Sequence, residues 1–461
     1  MEPTAIPKQL LKEHDKLEAK YKKILKVNPD LNRTLVSFQA NKHQSGYRWY
    51  KFKEGYSSAL VLYYLNKLGI KSGKVLDPFA GSGTSLFVSA ENGLDSVGLE
   101  LLPICYEVMW VRRAIVNGDQ KKIVKDIQNW LSEKPWKKEK KITQLEHITI
   151  TKGAFPIDTE KEIGQYLTSV GKLKDQTSQK ILKFALLSVL ESISFTRKDG
   201  QYLRWDHRSG RRQGSKPFDK GEIKKFDKAI TEKLTEMLTD LTSNSKKLTK
   251  KVAKIDIIQG SCLDEISKLK DKFSLILTSP PYCNRYDYTR TYALESVLLG
   301  INEQKIRELR QTMLSCTVEN KEKENLERKF SKGVFQDANK SFASQKYLNE
   351  VLVYLEEIKK ELNNPGIVRM VKNYFYELCL LIFESSKITK KGGYFVMVND
   401  NVRYAGVPIP VDLILSDFAS DAGFKVKEIQ VLPKGKGNSS QQMGKHGRTE
   451  TRKCVYIWQK L

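Results

Sequence analysis

The sequence predicts an α/β fold with a mainly parallel sheet, helices on both faces and a large, mostly helical insertion. Two short apolar runs, Val75–Leu76 and Phe273–Leu277, each end in residues that turn the chain, as buried strands of such sheets do. Strand and helix patterns alternate again from residue 366 to residue 461, which favours parallel strands joined by crossover helices.

The N-terminal residues 1–34 are predicted to form a basic helical extension. The stretch from Lys8 to Lys26 repeats apolar residues with helical spacing, including Leu10, Leu17 and Tyr21. We therefore expect this helix to dock on the core through its apolar side.

The first strand of the sheet runs through Val75 and Leu76 into a glycine-rich turn and a helix over about 84–92. Gly81 and Gly83 let the backbone approach a ligand closely, and Asp77 at the strand tip can accept hydrogen bonds from a cationic group. The turn lacks the spacing and the lysine of a phosphate-binding loop.

The second and third strands are predicted at 95–99 and 254–259. The second strand ends in Glu100, where a carboxylate is placed to hold a ribose diol; a solvated charge is the alternative. The third strand leads into Gly260 and Ser261.

The fourth strand ends in Thr278-Ser279-Pro280-Pro281-Tyr282. Two prolines cannot continue a central strand, so the chain must turn out at the carboxyl edge of the sheet. The Ser279 hydroxyl and the Pro280 carbonyl are then free to face a ligand, and Tyr282 offers a flat ring. The alternative is an ordinary strand followed by a proline turn.

The C-terminal third completes the sheet. A helix is predicted from Ile367 to Lys390 and ends at Lys391-Gly392-Gly393, and a strand follows over 394–398. Strands at 426–432 and 455–458 then form a final reversed hairpin.

Together, DPFAGSGT, the acidic end of the second strand and TSPPY resemble the S-adenosylmethionine-dependent amino-methyltransferases of DNA, and SPPY is similar to their cytosine-N4 branch. The resemblance implies a Rossmann-like class I methyltransferase sheet, with the catalytic domain in residues 35–118, 252–300 and 366–461. It implies a catalytic turn formed by Ser279, Pro280, Pro281 and Tyr282.

The resemblance also implies S-adenosyl-L-methionine as cofactor and a set of residues around it. These are Asp77, Pro78, Phe79, Ala80, Gly81, Gly83, Thr84, Glu100, Leu101, Ser261, Cys262, Asp264 and Thr278. Family members often carry an acidic residue after the glycine at Gly260, and here either Ser261 or Asp264 takes that place.

The segment Tyr47–Ser57 resembles the family segment that closes over the methionine end of the cofactor. Lys51, Lys53 and Ser57 are candidates for binding the cofactor carboxylate. The alternative is an amphipathic surface of aromatic and lysine side chains.

The charge balance favours a polyanionic partner. Lysine and arginine total 80 against 54 aspartate and glutamate, a net charge of +26, although charge alone does not separate DNA from RNA or an anionic membrane. The insertion over 119–251 carries a basic segment with interleaved aromatics and is the candidate target-recognition domain, while 301–365 is a second helical insertion. A solvated basic face is the alternative. The expected DNA contacts are Arg197, Lys198, Tyr202, Arg204, Trp205, Arg208, Arg211, Arg212, Arg285, Tyr286, Lys434, Lys436, Lys445 and Arg448.

Other functional classes are disfavoured. The sequence lacks a long apolar span and a signal-peptide core, which predicts a cytoplasmic protein of a bacterium or archaeon with no membrane partner. Its six scattered cysteines predict neither a metal site nor disulfides. Cys283 could suggest a nucleophile, but the resemblance places the proline turn, with Ser279, at the reacting amino group.

The sequence therefore favours methylation of cytosine N4 in double-stranded DNA, within a restriction–modification system with a cognate endonuclease as candidate partner. Adenine N6 offers the same amino geometry and is the nearest alternative. RNA amino-methylation and a catalytically silent nucleic-acid-binding protein are the others.

Overall fold

The structure is a computed structural model that describes residues 6–200, 202–212, 216–243, 252–433, 436–437 and 450–461. The strands of these residues, in chain order, are β1 (Leu25–Val27), β2 (Lys74–Asp77), β3 (Asp95–Glu100), β4 (Thr196–Asp199), β5 (Tyr202–Trp205), β6 (Ile255–Gln259), β7 (Phe273–Thr278), β8 (Thr389–Asp400), β9 (Val402–Tyr404), β10 (Val407–Ile409), β11 (Phe424–Val431), β12 (Lys436–Gly437), β13 (Glu450–Thr451) and β14 (Lys453–Lys460).

The main sheet has the strand order β1-β11-β14-β8-β7-β2-β3-β6. Strands β6, β3, β2, β7 and β8 pair in parallel, whereas β14 is antiparallel to both β8 and β11. This arrangement confirms the predicted fold class, a mainly parallel sheet with a reversed final hairpin.

Helices cover both faces of the sheet and fill the intervals between β3 and β6 and between β7 and β8. The α-helices of the described residues are Lys8–Tyr21, Ser58–Lys67, Thr84–Glu91, Pro103–Asn117, Gln120–Glu133, Pro135–Lys138, Ile157–Gly171, Gln176–Ile193, Phe226–Ser243, Cys262–Glu265, Tyr288–Thr291, Ala293–Leu298, Glu303–Thr312, Leu326–Lys329, Lys332–Ser344, Lys346–Glu357, Gly366–Ile388 and Val411–Asp421.

The apolar run of β7 is buried on both sides because successive side chains of a strand point to opposite faces. Ile276 packs with the helices Gly366–Ile388 and Val411–Asp421, and Phe273 joins the same cluster because the strand pairing is irregular between Phe273 and Leu275. Leu275 and Leu277 pack on the other face with the helices that precede and follow β2. This two-sided burial accounts for the continuous apolar sequence of β7.

A third core lies among the helices between β3 and β6. Phe226, Ile230 and Leu234 are fully buried along one side of the helix Phe226–Ser243, as their helical spacing predicts. They belong to the same apolar cluster as the buried residues of Gln176–Ile193 and as Met313. The insertion therefore packs against the chain that follows the Ser-Pro-Pro-Tyr turn.

The N-terminal helix docks on the core as predicted. Leu10, Leu17 and Tyr21 are buried, and the Tyr21 hydroxyl donates a 2.6 Å hydrogen bond to Asp417. The sequence did not predict β1, which follows this helix and pairs in parallel with β11 at the edge of the sheet. Three residues are too few for a periodic pattern, and only the contact with β11 defines them as a strand.

Two predicted elements have different bounds. The helix Gly366–Ile388 ends before Lys391-Gly392-Gly393, and these residues belong to β8. Gly392 has a φ of +76° and lies in the irregular part of β8 between Thr389 and Tyr394, where the register with β7 shifts. The basic segment after residue 195 contains a hairpin of β4 and β5 in addition to loop.

No helix in the described parts of the chain combines the length and the apolar character needed to cross a membrane.

Candidate active site

A pocket opens at the carboxyl ends of β2, β3, β6 and β7, where parallel α/β sheets bind ligands. The glycine-rich turn, the Ser-Pro-Pro-Tyr turn and the acidic end of β3 meet there. Residues from the segment before β2 and from the chain after β7 complete the wall. The pocket is lined by Phe52, Glu54, Pro78, Phe79, Gly81, Leu99, Glu100, Leu101, Leu102, Gly260, Ser261, Cys262, Ser279, Pro281, Tyr288, Met313 and Leu314.

Asp77 is almost fully buried beside this pocket and joins its two turns. Its carboxylate accepts hydrogen bonds from the hydroxyls of Tyr56 at 2.9 Å, Ser85 at 2.6 Å and Thr278 at 2.6 Å. The Phe79 amide donates a fourth at 3.1 Å. Burial raises the pKa of Asp77, and these four donors oppose that shift. Asp77 therefore fixes the ends of β2 and β7, and it is not among the lining residues.

The glycine-rich turn brings backbone to the pocket surface. Gly81 has a φ of +53°, and its amide donates a 2.7 Å hydrogen bond to Glu100. A Cβ at Gly81 would lie 2.8 Å from the ring of Phe52, so a side chain there would displace that ring. Gly83, with a φ of +78°, instead packs against Met109 and starts the helix after the turn, whereas Ala80 and Thr84 are buried.

Glu100 lines the pocket at the end of β3. One carboxylate oxygen accepts from the Gly81 amide and the other from the Leu102 amide, each at 2.7 Å. Burial raises the pKa of Glu100 to about 7, against the lowering effect of these two amides. A carboxylate oxygen has two lone pairs, so each oxygen can accept a further hydrogen bond from ligand hydroxyls.

The two alternatives after β6 are separated in space. Ser261 and Cys262 line the pocket, and the Ser261 hydroxyl donates to the Thr312 carbonyl at 3.1 Å. Asp264 instead forms a 2.7 Å ion pair with Lys329 and is not among the lining residues. The geometry favours Ser261 as the member of this pair that contacts a ligand.

The Ser-Pro-Pro-Tyr turn reaches the pocket through Ser279 and Pro281. Pro280 is buried, and Tyr282 is partly exposed. The Ser279 hydroxyl donates to the Tyr282 hydroxyl at 3.2 Å, and burial raises the pKa of Tyr282 well above its usual range. The Tyr282 hydroxyl therefore stays neutral, and the lone pairs of Ser279 remain available as acceptors.

The segment Tyr47–Ser57 contributes different residues from those expected. Lys51 is exposed, and the Lys53 ammonium donates to the Lys198 carbonyl. The Ser57 hydroxyl caps the helix Ser58–Lys67. Since these three side chains are not among the lining residues, the structure does not place them against a cofactor. Phe52 and Glu54 line the pocket instead.

Glu54 connects the pocket to the chain after the Ser-Pro-Pro-Tyr turn. Its two carboxylate oxygens accept hydrogen bonds from the hydroxyls of Tyr286 and Tyr292. Phe52 stacks on Tyr292 with 5.5 Å between ring centroids. Tyr286, which the sequence suggested as a DNA contact, thus has its hydroxyl bound inside the protein.

The basic hairpin presents a charged outer face. Arg197 and Arg204 lie directly opposite each other in the β4–β5 pair, and both are exposed. Their guanidinium groups lie 5.9 and 4.1 Å from the Phe218 ring. Tyr202, 50% exposed, stands on the same strand two residues from Arg204. Like charges placed directly opposite destabilise a hairpin, but Arg204 also forms a 3.1 Å ion pair with Asp199, so part of the charge of this pair is already balanced within the protein.

Two other basic side chains of the hairpin region are bound by carboxylates of the protein. Lys198 was expected to contact DNA, but it is buried and forms an ion pair with the buried Glu295. The Arg208 guanidinium is held by both carboxylate oxygens of Asp206.

The other aromatic and basic partners of this region also form internal contacts. Arg211 lies 3.6 Å from the ring of Trp205 and donates to the Lys152 carbonyl, so Trp205 already has one face covered.

The remaining expected DNA contacts have mixed placements. Arg212 is exposed, whereas Arg285 is partly buried and has a φ of +69°, uncommon for a residue with a side chain. Lys436 belongs to the short strand β12. Lys434, Lys445 and Arg448 lie outside the described residues.

Two alternative chemistries are opposed by the surroundings of the residues that would perform them. Asp206, His207 and Asp219 bring possible metal-ligand atoms within 4.8 Å of one another, but the Arg208 guanidinium already neutralises Asp206. Cys283 is fully buried, and burial raises the pKa of its thiol well above the usual range, which opposes formation of a nucleophilic thiolate.

No protein-family profile matches the chain. Individual relatives match over nearly all of it. Type II methyltransferase M.AvaI from Nostoc sp. is 46% identical over 452 residues, which cover 96% of this chain and 92% of the relative, and the M.AvaI of Anabaena variabilis matches equally. The chain belongs to the Type II methyltransferases. Type II methyltransferase M.BsoBI from Geobacillus stearothermophilus is 39% identical over 469 residues, covering 96% of this chain and 91% of the relative. The expectation of a restriction–modification DNA methyltransferase is confirmed at this level.

In this Type II methyltransferase, sequence reasoning missed part of the pocket wall. The missed residues are Phe52, Glu54, Leu99, Leu102, Gly260, Tyr288, Met313 and Leu314. Phe52 and Glu54 stand beside the lysines that the sequence suggested. The sequence therefore identified the segment, but not which of its side chains face the pocket. Met313 and Leu314 follow the helix Glu303–Thr312, and nothing in the sequence connects that helix to the pocket.

Proposed function

We propose that this Type II methyltransferase transfers a methyl group from S-adenosyl-L-methionine to the exocyclic N4 amine of cytosine in double-stranded DNA. The observation that carries the proposal is that Ser279 of the Ser-Pro-Pro-Tyr turn lines the same pocket as Gly81 and Glu100. The turn proposed to bind the amine and the wall proposed to bind the nucleoside therefore line the same pocket.

The pocket suits a cationic nucleoside. Its lining in the described chain includes the carboxylates of Glu54 and Glu100 and no lysine, arginine or histidine, although the chain has a net charge of +26. Apolar side chains, among them Leu101, Met313 and Leu314, form the rest of the wall. S-adenosylmethionine supplies a methyl group on a positively charged sulfur when bound.

Each part of the wall has a proposed role towards this cofactor. Glu100 holds the ribose diol through its free lone pairs. Ser261 and Cys262 contact the adenine, and Gly81 and Phe79 lie along the rest of the cofactor. Asp77, through Thr278 and Ser85, holds the surrounding backbone in place.

The catalytic turn orients the amine. The lone pair of a cytosine amine is delocalised into the ring, so the nitrogen must be held with its lone pair towards the pocket. Because the Ser279 proton is donated to Tyr282, the Ser279 oxygen and the Pro280 carbonyl act as acceptors for the two amine protons. The Tyr282 ring stacks on the flipped base. Serine is a weak base, so the proton leaves through water or backbone during or after transfer.

DNA binding is proposed for the outer face of the insertion over 119–251. The facing Arg197 and Arg204 supply positive charge for phosphates or guanine edges, and Tyr202 supplies an exposed ring. The basic residues Lys434, Lys436, Lys445 and Arg448 are proposed to follow the phosphate backbone. A cognate restriction endonuclease sharing the target sequence is the proposed partner.

Transfer of tritiated methyl from S-adenosylmethionine to DNA tests the proposal. We expect Ser279→Ala to lose about a hundredfold or more in the rate of transfer, because the amine loses an oriented acceptor, while binding of cofactor and DNA is retained. The exposed Ser344→Ala is the matched control and should transfer at the wild-type rate. Full activity of Ser279→Ala, or wild-type protein that binds DNA and never transfers methyl, would contradict the proposal.

A further inference from the structure

The segment that enters the pocket from residues 47–57 carries an acidic side chain where a basic one was expected. Lys51 is exposed and Lys53 is bound to the Lys198 carbonyl, whereas Glu54 lines the pocket. We propose that Glu54 binds the α-ammonium group of the methionine moiety of the cofactor, an inference that rests on the proposed function.

The position of Glu54 within the pocket supports this role. Glu100, Ser261 and Cys262 lie at the ends of β3 and β6 and are assigned to the nucleoside. Glu54 is tied to Tyr286 and Tyr292, which follow the Ser-Pro-Pro-Tyr turn. Tyr286 also packs edge-on against Tyr288, with 4.7 Å between ring centroids, and Tyr288 lines the pocket together with Ser279 and Pro281. Glu54 is therefore connected to the side of the pocket where the proposed methyl transfer takes place, towards which the methionine part of the cofactor would extend.

The two tyrosines orient Glu54 without neutralising it. Burial raises the pKa of Tyr286 and Tyr292 well above the usual range, so both hydroxyls remain neutral donors. Each occupies one lone pair of a carboxylate oxygen and leaves another for a third donor. The carboxylate is thus held in one orientation with unused acceptor capacity.

Nearby cations do not take up this capacity. The Lys198 ammonium, 4.3 Å from the Tyr292 ring, is paired with Glu295. Lys53 lies 3.9 Å from Glu191. Among the described residues, lysine and arginine form no ion pair with Glu54. An ammonium from the ligand would supply the missing positive charge through a charge-assisted hydrogen bond.

Three ligands distinguish the parts of the cofactor that Glu54 could recognise. S-adenosylmethionine carries both the ammonium and the charged sulfur, S-adenosylhomocysteine carries the ammonium with a neutral sulfur, and methylthioadenosine carries neither. Their affinities for the full-length wild type, Glu54→Gln and the control Glu107→Gln are measured by isothermal titration calorimetry. Glu107 pairs with Lys180 at 3.2 Å and lines a different pocket.

We expect Glu54→Gln to bind S-adenosylmethionine and S-adenosylhomocysteine about tenfold or more weakly, and methylthioadenosine within about twofold of wild type. Glu107→Gln should bind all three as the wild type does. Equal losses for all three ligands would overturn the inference by showing that Glu54 only shapes the pocket. A loss for S-adenosylmethionine alone would overturn it in favour of the sulfur charge. A wild type that binds none of the three would overturn the proposed function itself.

Discussion

Thr278 at the end of β7 donates a 2.6 Å hydrogen bond to Asp77 at the end of the neighbouring β2, and both side chains are buried. Asp77 begins the glycine-rich turn, and Thr278 begins the Ser-Pro-Pro-Tyr turn. The bond therefore fixes the two turns that line the pocket relative to each other.

Loss of this hydroxyl should destabilise the protein. Thr278→Val removes one of the four donors to Asp77 and places a methyl group against a buried carboxylate, which should lower the free energy of unfolding by about 1–3 kcal/mol in urea denaturation. Thr278→Ser retains the donor and should lose less. Equal stability of the two variants would show that the hydrogen bond contributes nothing.

Gly81 should be required for the cofactor and not only for the turn. Gly81→Ala forces a Cβ to within 2.8 Å of the Phe52 ring, whereas Gly93 has a similar positive φ and only open space within 4 Å of where a Cβ would lie. The left-handed backbone should cost each alanine variant about 1–2 kcal/mol of stability, and Gly81→Ala should lose more because the Phe52 ring must also shift. Only Gly81→Ala should weaken S-adenosylmethionine binding, measured by calorimetry. Equal affinities would contradict the assigned pocket.

Cofactor affinity should depend on pH through Glu100. Its pKa is raised to about 7 by burial, so the carboxyl is mostly neutral below that pH and ionised above it. The ionised form accepts stronger hydrogen bonds from the ribose hydroxyls, so affinity should rise between about pH 6 and pH 8. Glu100→Gln should bind more weakly and without this rise. A wild-type affinity that falls or stays constant over this range would contradict the role of Glu100.

Arg197 and Lys198 are neighbours in sequence and should respond oppositely to substitution. Arg197→Ala removes an exposed charge, so the slope of log affinity for DNA against log salt should fall by about 1 with little change in stability. Lys198→Met leaves Glu295 buried without its partner and should cost about 3–5 kcal/mol of stability.

The salt slope of folded Lys198→Met should equal that of the wild type. A reduced slope would mean that Lys198 contacts phosphate after all.

These two residues also show what sequence could predict. Both stand in one basic segment, and composition treats them alike. Their strand, β4, puts alternate side chains on opposite faces, which sends Arg197 outwards and Lys198 into the core. The hairpin is hard to recognise from sequence because its strands have four residues each.

The sheet and its turns were predictable because their sequence signals are local and clear. Phe273–Leu277 is a buried apolar run followed closely by two prolines, and Gly81 and Glu100 follow strands with equally local signals. Glu54, Met313 and β1 depend on tertiary contacts between distant parts of the chain, for which local patterns contain no information.

The identity of the methylated nucleoside tests the proposed reaction most directly. DNA methylated by the purified protein is digested to nucleosides and analysed by mass spectrometry, beside DNA treated with Ser279→Ala. We predict N4-methylcytosine with the wild type and little or none with the variant. N6-methyladenine as the product would contradict the proposed reaction.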